Sequence, residues 1–355
     1  MTGARELVVI YGGPSAEHEV SCISALRIVA AARRDGKTVS AIGLTHDKHW
    51  VDARGALENI DEWDELPSPD VLIAEHPGCE LPDLAAGLSS RSVVFPLLHG
   101  PFGEDGVIQG HFEAHGVPYV GAGVLSSAIC MDKGIAKSVL HDHGVPVGAW
   151  ELLGRPDLND EALEGAAAHL GFPIFVKPAN LGSSIGVTKV KEAAHLGAAV
   201  ELAFEFDDAV ILEEFVDGRE FELALLGNEE VSVSGAGEIR ASREFYDYED
   251  KYLLGVAKTI VPADLRHDQL ARAQEVARQA YRALRVEGLA RVDLFMDGKG
   301  RFLINEVNTM PGFTPISMYP MLWEAEGLPL RALIDLLIGL ALARHERRRG
   351  LRTHR

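Results

Sequence analysis

Apolar runs alternate with more polar segments along the first third of the chain. Each apolar run is bounded by Gly, Pro, Asp or Ser and predicts a buried strand, and the segments between the runs predict helices. Strand–helix–strand alternation predicts an open parallel sheet with helices on its faces. The predicted strands are ELVVIY, TVSAIGL, SVVFPLL and PYVGAG. One predicted helix ends at about Arg34, and another runs from Gly106 to His115.

The order of elements becomes mixed after residue 125. Ser126 is interpreted as the cap of a helix that runs to about His143, and a second helix is expected from Glu192 to Phe204. Helices are also expected from about Arg266 to Leu284 and at the end of the chain. The predicted strands are IFVKPA, GVTKV, AVILEEFV, REFELALLG, VSVSGAGEI, GLARVDLFM and FLINEVN. This order predicts an α+β arrangement for the later part of the chain.

Length and pattern together predict three domains. The chain has 355 residues, of which 47% are apolar and 25% charged, a composition typical of globular proteins. At about 150 residues per domain, we divide it into an N-terminal α/β domain (1–125), a central segment (126–215) and a C-terminal segment (216–355). The stretch from Trp50 to Ser90 is rich in Asp, Glu and Pro and is interpreted as a peripheral excursion without a functional assignment.

The net charge restricts the partners. A formal charge of −19 disfavours non-specific binding to nucleic acid or to an anionic membrane, so we expect neither as a partner. The basic end of the chain is interpreted as a solvated tail. No secretory leader and no membrane-spanning run is predicted. Three cysteines far apart, Cys22, Cys79 and Cys130, exclude a disulfide scaffold and suit the reducing cytoplasm, where we expect the protein.

A late hairpin carries the clearest chemical pattern. Asp-Gly-Lys-Gly at 297–300 predicts a turn between two strands. Counting back from this turn pairs Arg291 with Glu306 and places both on one face with Asp293 and Asn308. Two carboxylates and an amide oxygen suit Mg²⁺. The alternative is a solvated hairpin with an Arg–Glu pair, which the apolar neighbours of Asp293 and Asn308 disfavour.

A Gly-Ser loop is a candidate phosphate site. Lys177 ends a strand just before the loop Gly182, Ser183, Ser184, where small residues allow backbone N–H groups to surround phosphate oxygens. The motif is neither a Walker loop nor a dinucleotide fingerprint. A plain surface turn is the alternative, but the carboxylates of the hairpin and Lys133 on a separate helix favour nucleotide binding. Glu-Glu-Phe at 213–215 would then border adenine and ribose.

Two Gly-rich turns follow strands in the N-terminal domain. GGPSAEHEVS offers Glu17 and His18 at a helix start, where open α/β sheets bind ligands, although helix capping is the alternative. LLHGPFGEDG places His99 after a strand, and a lone histidine there is more often structural. FYDYEDKY at 245–252 lies in a long polar loop and is a candidate lid, with an ordinary surface loop as the alternative.

Taken together, these residues resemble the D-alanine–D-alanine ligases of the ATP-grasp superfamily. The resemblance covers nearly the whole chain, in the order GGPSAEHEVS, LHGPFGEDG, MDKGIAK, VKPANLGSSIGV, ILEEFVDGREF, FYDYEDKY, ARVDLF and INEVNTMPGFTPISMYP. It implies a three-domain ATP-grasp fold and the ATP-dependent ligation of two D-alanines through an acyl phosphate, for peptidoglycan precursors. It also implies a homodimer.

The resemblance implies roles for matching residues. A pair of Mg²⁺ ions, or alternatively Mn²⁺, would be bound by Asp293, Glu306 and Asn308. The tetrahedral intermediate would be stabilised by Arg291 and the N–H of Gly312. The residues implied for ATP are Lys133, Lys177, Gly182, Ser183, Ser184, Glu213, Glu214, Glu220 and Lys251. Glu214 departs from some relatives, which carry Lys beside the adenine.

The amino-acid subsites are implied in the same way. Glu17, with His99 nearby, would bind the ammonium group of the first D-alanine, and Ser317 would bind the carboxylate of the second. Glu17, Ser183 and Tyr252 match a hydrogen-bonded trio that closes the loop over the site.

Four other functions are weighed against this one. A D-alanine–D-lactate ligase is disfavoured by Tyr252, where one lactate-using branch carries Phe. A biotin-carboxylase-like or glutathione-synthetase-like ligase would lack the GGPSAEHEVS and FYDYEDKY elements. A non-catalytic ATP-binding protein is disfavoured by the presence of Arg291 and of the three metal-ligand candidates. A dinucleotide-binding dehydrogenase lacks its fingerprint here.

Overall fold

The computed structural model describes residues 5–58, 60, 64–89, 91–240 and 258–352. Within these ranges the chain forms three β-sheets with helices packed on their faces, a mixed α/β architecture. In this part of the chain, no helix is both long and apolar enough to cross a membrane.

The first sheet is mixed rather than purely parallel. Its strand order is β4-β3-β2-β1-β5, and β2, β1 and β5 run parallel while β3 and β4 add antiparallel strands at one edge. Its elements are β1 (Glu6–Gly12), α1 (His18–Arg34), β2 (Val39–Leu44), β3 (Trp50–Asp52), α2 (Pro69–Glu75), β4 (Glu80–Leu81), β5 (Ser92–Pro96) and α3 (Val107–Ala114). Part of the 50–90 stretch thus extends this sheet.

Helices cover both faces of strand β1, which lies between β2 and β5. Val9 packs in the same apolar cluster as Ile28 of α1, and Val8 lies with Phe112 of α3 in the cluster on the other face. A strand buried on both faces must be apolar at successive positions, which explains the unbroken run LVVIY. The predicted strand PYVGAG is reduced to a single bridge between Tyr119 and Val94.

The second sheet belongs to the middle of the chain and is antiparallel throughout, with the order β6-β9-β7-β8. The sequence predicted its last three strands but missed its first strand and the helix that follows it. Its elements are β6 (Trp150–Gly154), α6 (Asp160–Leu170), β7 (Ile174–Pro178), β8 (Thr188–Val190), α7 (Leu196–Ala203) and β9 (Ala209–Glu214). Two helices precede it, α4 (Val124–Met131) and α5 (Lys133–Asp142), and their buried apolar residues pack with the third sheet instead.

The single helix predicted from Ser126 to His143 is wrong in two respects. Asp132 divides it into α4 and α5, and the Asp132 carboxylate caps α5 by accepting the N–H of Ile135 at 2.9 Å. Ser126 lies inside α4, where its hydroxyl donates to the carbonyl of Gly123. An internal cap therefore ended the first helix where a continuous apolar pattern had predicted one element.

The third sheet is antiparallel, in the order β12-β11-β10-β13-β14. One face of β10 packs through Phe221 and Leu223 against α8, while the opposite face packs through Ala224 and Leu226 in the cluster that includes α9. Its elements are β10 (Gly218–Gly227), β11 (Val231–Arg240), β12 (Lys258–Ile260), α8 (His267–Ala283), β13 (Gly288–Asp297), β14 (Phe302–Asn308), α9 (Met318–Ala325) and α10 (Leu330–Arg349).

Candidate active site

A cavity of about 530 Å³ lies between the second and third sheets. Its volume is within the range of pockets that bind nucleotides and drug-sized ligands. The cavity brings together most of the residues predicted to bind ATP or metal. Those that line it are Lys133, Lys177, Gly182, Ser183, Ser184, Glu213, Glu214, Glu220, Asp293 and Glu306.

The Glu213 carboxylate is held between two lysines. Lys177, on β7, lies 2.5 Å from its Oε2, and Lys137, on α5, lies 2.9 Å from its Oε1. Burial alone would raise the pKa of Glu213, but the two ammonium groups hold it well below its usual range. The same pairing raises the pKa of Lys177 despite its burial. Lys177 therefore keeps its positive charge at the wall of the cavity.

Lys137 is a residue that the sequence analysis missed. It follows Lys133 by four positions on α5, so both side chains project from one face of the helix. That spacing was a usable signal, because two lysines on one face of a helix beside a phosphate-like loop are a concentration of charge. Lys137 is only 4% exposed, and Glu213 neutralises it there.

Lys133 approaches the cavity from the start of α5. Its Nζ donates to the carbonyl of Leu181 at 2.5 Å and lies 4.0 Å from a carboxylate oxygen of Glu306. Burial lowers the pKa of Lys133 from its usual value, and Glu306 partly opposes this effect. The ammonium group therefore lies between the Gly-Ser loop and the metal-candidate face.

The Gly-Ser loop has an unusual backbone conformation. Ser183 and Ser184 have φ values of 55° and 58°, in the left-handed region that non-glycine residues rarely adopt. A Cβ added to Gly182 would lie 3.8 Å from the Glu17 carboxylate, so the loop reaches the N-terminal candidate site. Strained backbone of this kind concentrates at functional sites, where the surrounding structure imposes it.

The four polar side chains of the late hairpin share one face, as predicted, but their pairing differs. Met296 pairs with Phe302 rather than with Arg301, and a β-bulge shifts the register again beyond Leu294. Asp293 therefore lies opposite Glu306, and the predicted pair of Arg291 with Glu306 is wrong: Arg291 lies opposite Asn308. A turn one residue longer than predicted and the bulge together decided which side chains face one another.

Arg291 is bound by two carboxylates. Its guanidinium donates to both oxygens of Asp293 at 2.7 Å and lies 3.2 Å from Glu222. Burial alone would lower the pKa of Arg291, but Asp293 and Glu222 raise that pKa well above its usual value. Glu222 was missed, yet β10 pairs it with Asp293, and its place two residues after Glu220 on the same face was a signal.

The metal-candidate residues supply suitable donors. Asp293 and Glu306 offer carboxylate oxygens across a strand pair, and Asn308 offers an amide oxygen that also accepts the N–H of Met310 at 3.0 Å. Hard oxygen donors without sulfur or imidazole fit Mg²⁺ or Mn²⁺. Another group lies beside the N-terminal sheet, formed by His18 at the start of α1, His46 after β2 and Asp70 in α2. Its imidazole rings are stacked 4.0 Å apart with planes 12° apart, so their in-plane lone pairs do not converge on one ion.

His99 and Glu104 hold the loop after β14 from the N-terminal side. The Nδ1 of His99 lies 3.0 Å from the carbonyl of Met310 and donates to it, while Glu104 accepts the N–H groups of Gly100 and Met310. Burial lowers the pKa of His99. Burial, reinforced by Glu17, raises the pKa of Glu104 to about 8. Glu104, which was also missed as a site residue, thus connects the loop after β5 to the loop after β14.

Gly312 and Ser317 also come together. A Cβ on Gly312 would lie 2.8 Å from the Ser317 hydroxyl, so only glycine fits there without a shift. That hydroxyl accepts the N–H of Thr314 at 2.9 Å. Lys251 and Tyr252 lie outside the described residues, and their predicted roles stay predictions.

Family models and a known relative that match this chain belong to one family. A model described as D-ala D-ala ligase N-terminus matches residues 6–122, and one described as D-ala D-ala ligase C-terminus matches residues 139–339. A D-alanine–D-alanine ligase of Thermoanaerobacter sp. (strain X514) is 43% identical over 349 residues, covering 96% of this chain and 97% of the relative.

Solved structures agree with the sequence relatives. The D-alanine-D-alanine ligase of Coxiella burnetii superposes with a TM-score of 0.85 at 35% identity, over 98% of this chain and 96% of its own. The VanG D-Ala:D-Ser ligase of Enterococcus faecalis gives a TM-score of 0.84 at 37% identity, over 95% and 99%. The likeness extends over the whole chain rather than over one sheet.

Proposed function

This chain belongs to the D-alanine–D-alanine ligase family, whose members have the ATP-grasp fold, and we propose that it joins two D-alanines into D-alanyl-D-alanine. ATP is converted to ADP and phosphate, and the dipeptide serves peptidoglycan precursor synthesis. The observation that supports this most directly is one cavity that is lined both by lysines and by carboxylates. The lysines are Lys133 and Lys177, and Lys177 forms an ion pair with Glu213. The other carboxylates are Asp293 and Glu306. Cations and hard oxygen donors that line one cavity suit a polyphosphate.

The reaction proceeds through an acyl phosphate. A carboxylate oxygen of the first D-alanine attacks the γ-phosphorus of ATP, and ADP leaves. The amine of the second D-alanine then attacks the activated carbonyl carbon, and phosphate leaves from the tetrahedral intermediate after the nitrogen loses its proton. A carboxylate is a poor acylating agent and ATP carries dense negative charge, so the protein contributes charge neutralisation and positioning.

The phosphates would be bound from the second sheet. Lys133 and Lys177 supply positive charge, and the N–H groups of Gly182, Ser183 and Ser184 surround the oxygens. Lys137 keeps Glu213 ionised and in place, which leaves Lys177 oriented toward the cavity. Glu213, Glu214 and Glu220 would border the adenine and ribose, and Lys251 would add charge from the loop.

Asp293, Glu306 and Asn308 would bind the pair of Mg²⁺ ions, which supply neutralisation of the charge that develops on the phosphates. Arg291 stays protonated between Asp293 and Glu222 and, with the N–H of Gly312, would stabilise the oxyanion of the tetrahedral intermediate. Because Arg291 is anchored by two carboxylates, its guanidinium is oriented before substrate binds.

The amino acids would be bound near the N-terminal sheet. Glu17 would bind the ammonium group of the first D-alanine with His99 nearby, and Ser317 would bind the carboxylate of the second. Glu17, Ser183 and Tyr252 would close the loop over the site. We also infer a homodimer and a cytoplasmic location, where ATP is supplied.

Phosphate release in the presence of ATP and Mg²⁺ tests the proposal, with condensed products identified by mass spectrometry. The substrates tested are D-alanine, L-alanine, and D-alanine with D-lactate or D-serine, the last because one structural neighbour is a D-Ala:D-Ser ligase. We expect phosphate release matched by D-alanyl-D-alanine, with little from L-alanine. A product made mainly of D-alanine joined to D-lactate or to D-serine would identify that compound as the second substrate. Absence of phosphate release would indicate a non-catalytic ATP-binding protein.

A further inference from the structure

The segment that follows β14 is held by helix α1 as well as by its own hydrogen bonds. This segment, residues 309–317, carries Gly312 and Ser317, and we call it the 309–317 loop. Its central residue, Phe313, is fully buried, with its ring edge against Phe95 at a centroid distance of 5.4 Å. Because protein interiors are closely packed, the buried Phe313 ring restricts the loop to one position, and polar contacts to its backbone then set its orientation.

Two side chains one turn apart on α1 bind the backbone of this loop. The Ser24 hydroxyl accepts the N–H of Phe313 at 3.0 Å in a buried contact. The Arg27 guanidinium donates to the carbonyl of Thr314 at 2.6 Å and to that of Phe313 at 3.3 Å. Residues three apart lie on the same face of a helix, so Ser24 and Arg27 act on one stretch of backbone.

The contact made by Arg27 continues to Ser317. The carbonyl that Arg27 binds belongs to Thr314, whose N–H donates to the Ser317 hydroxyl at 2.9 Å and whose own hydroxyl lies 2.8 Å from it. Arg27 fixes the position of Thr314, and Thr314 fixes the orientation of the Ser317 hydroxyl. The Ser317 hydroxyl lies 2.8 Å from the position that a Cβ on Gly312 would take, so Ser317 and Gly312 are direct neighbours.

The other end of α1 reaches the first amino-acid site. Glu17 is the residue that precedes the helix, at its N-terminus, and Arg27 lies ten positions further along the same rigid element. A helix rises about 1.5 Å per residue, so α1 spans the distance between Glu17 and the 309–317 loop as one body. The two amino-acid subsites of the proposed reaction would thus be fixed relative to each other.

We propose that Arg27, assisted by Ser24, is a positioning residue for the second amino-acid subsite. It sets the Thr314 peptide, and through it the Ser317 hydroxyl that would bind the carboxylate of the second D-alanine. This inference rests on the proposed function for its kinetic consequence, but the structural part, that Arg27 holds the 309–317 loop, stands independently. Ser24 adds a contact to the N–H of Phe313, in the same stretch of backbone.

Steady-state kinetics of Arg27→Met test the consequence. Met retains the aliphatic stem but removes the donors, so we expect the KM of the second D-alanine to rise about tenfold or more, as for loss of a charged hydrogen bond. The KM of ATP should change less than twofold, and Arg27→Lys should recover part of the loss. Arg33→Met is the matched control. Arg33 also lies on α1, and its guanidinium also donates to a backbone carbonyl, that of Leu57, which is away from the site.

Hydrogen–deuterium exchange measures the positioning without relying on turnover. In Arg27→Met, peptides covering 309–317 should exchange faster than in the wild type, while Arg33→Met should leave them unchanged. An unchanged exchange rate in Arg27→Met overturns the structural part of the proposal. Faster exchange with an unchanged KM for the second D-alanine overturns its kinetic part. If the wild type forms no condensed product, the proposed function fails, and the exchange experiment still decides whether Arg27 holds the loop.

Discussion

Asp293 lies directly opposite Glu306, although the hairpin turn between their strands does not by itself produce that pairing. From the turn, Met296 pairs with Phe302 and Leu294 with Ile304, which would place Asn305 opposite Asp293. The bulge at this point lets Asn305 and Glu306 together oppose Asp293, and both line the cavity. Without it, Glu306 would face the apolar side that packs on α8. The bulge therefore assembles the carboxylate pair.

The first prediction concerns that pair. Glu306→Gln should keep the fold, because the side chain is partly exposed on a strand, but should lower kcat by about two orders of magnitude or more through loss of a metal ligand. Phosphate release at saturating Mg²⁺ measures the effect. Glu230→Gln, in the exposed turn between β10 and β11, is the control and should be unchanged. Near-normal turnover in Glu306→Gln would show that Glu306 is not a ligand.

A second prediction concerns Lys137. Lys137→Met should raise the KM of ATP about tenfold, because Glu213 would retain only Lys177 and draw it away from the phosphates. The free energy of unfolding should fall by about 1–3 kcal/mol, as for a buried group that loses one partner. ATP titration and urea unfolding measure the two effects, with the exposed Lys299→Met as control. An unchanged KM for ATP would remove Lys137 from the site.

The third prediction is a pH dependence of stability. The pKa of Glu104 is raised to about 8 in the folded protein, mainly by burial, whereas the unfolded chain has a value near 4.5. The raised pKa favours the neutral form, so the associated stability is complete below about pH 4.5 and is lost as the pH rises toward 8. Glu104→Gln removes this titration and keeps an amide oxygen as acceptor.

Urea unfolding at pH 5, 6.5 and 8 checks this dependence. The stability of the wild type relative to Glu104→Gln should fall steadily across this range. Parallel curves for the two proteins would mean that Glu104 is ionised in the folded state at all three pH values. Glu326→Gln, at the end of α9, is a control for the loss of a carboxylate elsewhere.

A fourth prediction concerns Tyr252, whose role follows from the family resemblance. Tyr252→Phe should raise the ratio of D-alanyl-D-lactate to D-alanyl-D-alanine when both second substrates compete at about pH 8, where general-base chemistry favours the amine. Mass spectrometry of the products gives the ratio. A ratio equal to that of the wild type would remove Tyr252 from the choice of second substrate.

Much of the site could be predicted from sequence because its residues sit at strand ends and in short Gly-rich turns. Lys177, the Gly-Ser loop and the polar face of the late hairpin were all recognised from such local patterns. Lys137, Glu222 and Glu104 were missed for a common reason. Each acts through a partner distant in sequence: Lys137 through Glu213, Glu222 through Arg291, and Glu104 through Met310.

The sequence by itself determined the order of most strands and helices and placed Asp293 and Glu306 on the two strands of one hairpin, because periodicity and turn residues act over a few neighbouring positions. Its motifs, taken in order, also identified the family. Only the tertiary structure decided which side chains meet. Asp132 ended a helix by capping it, a bulge changed the β13–β14 register, and α1 came to rest on the 309–317 loop. The contact between α1 and the 309–317 loop joins residues 289 positions apart, and no local pattern contains its packing free energy. The cap and the bulge lie within short segments, but the apolar periodicity and the turn motif alone did not reveal them.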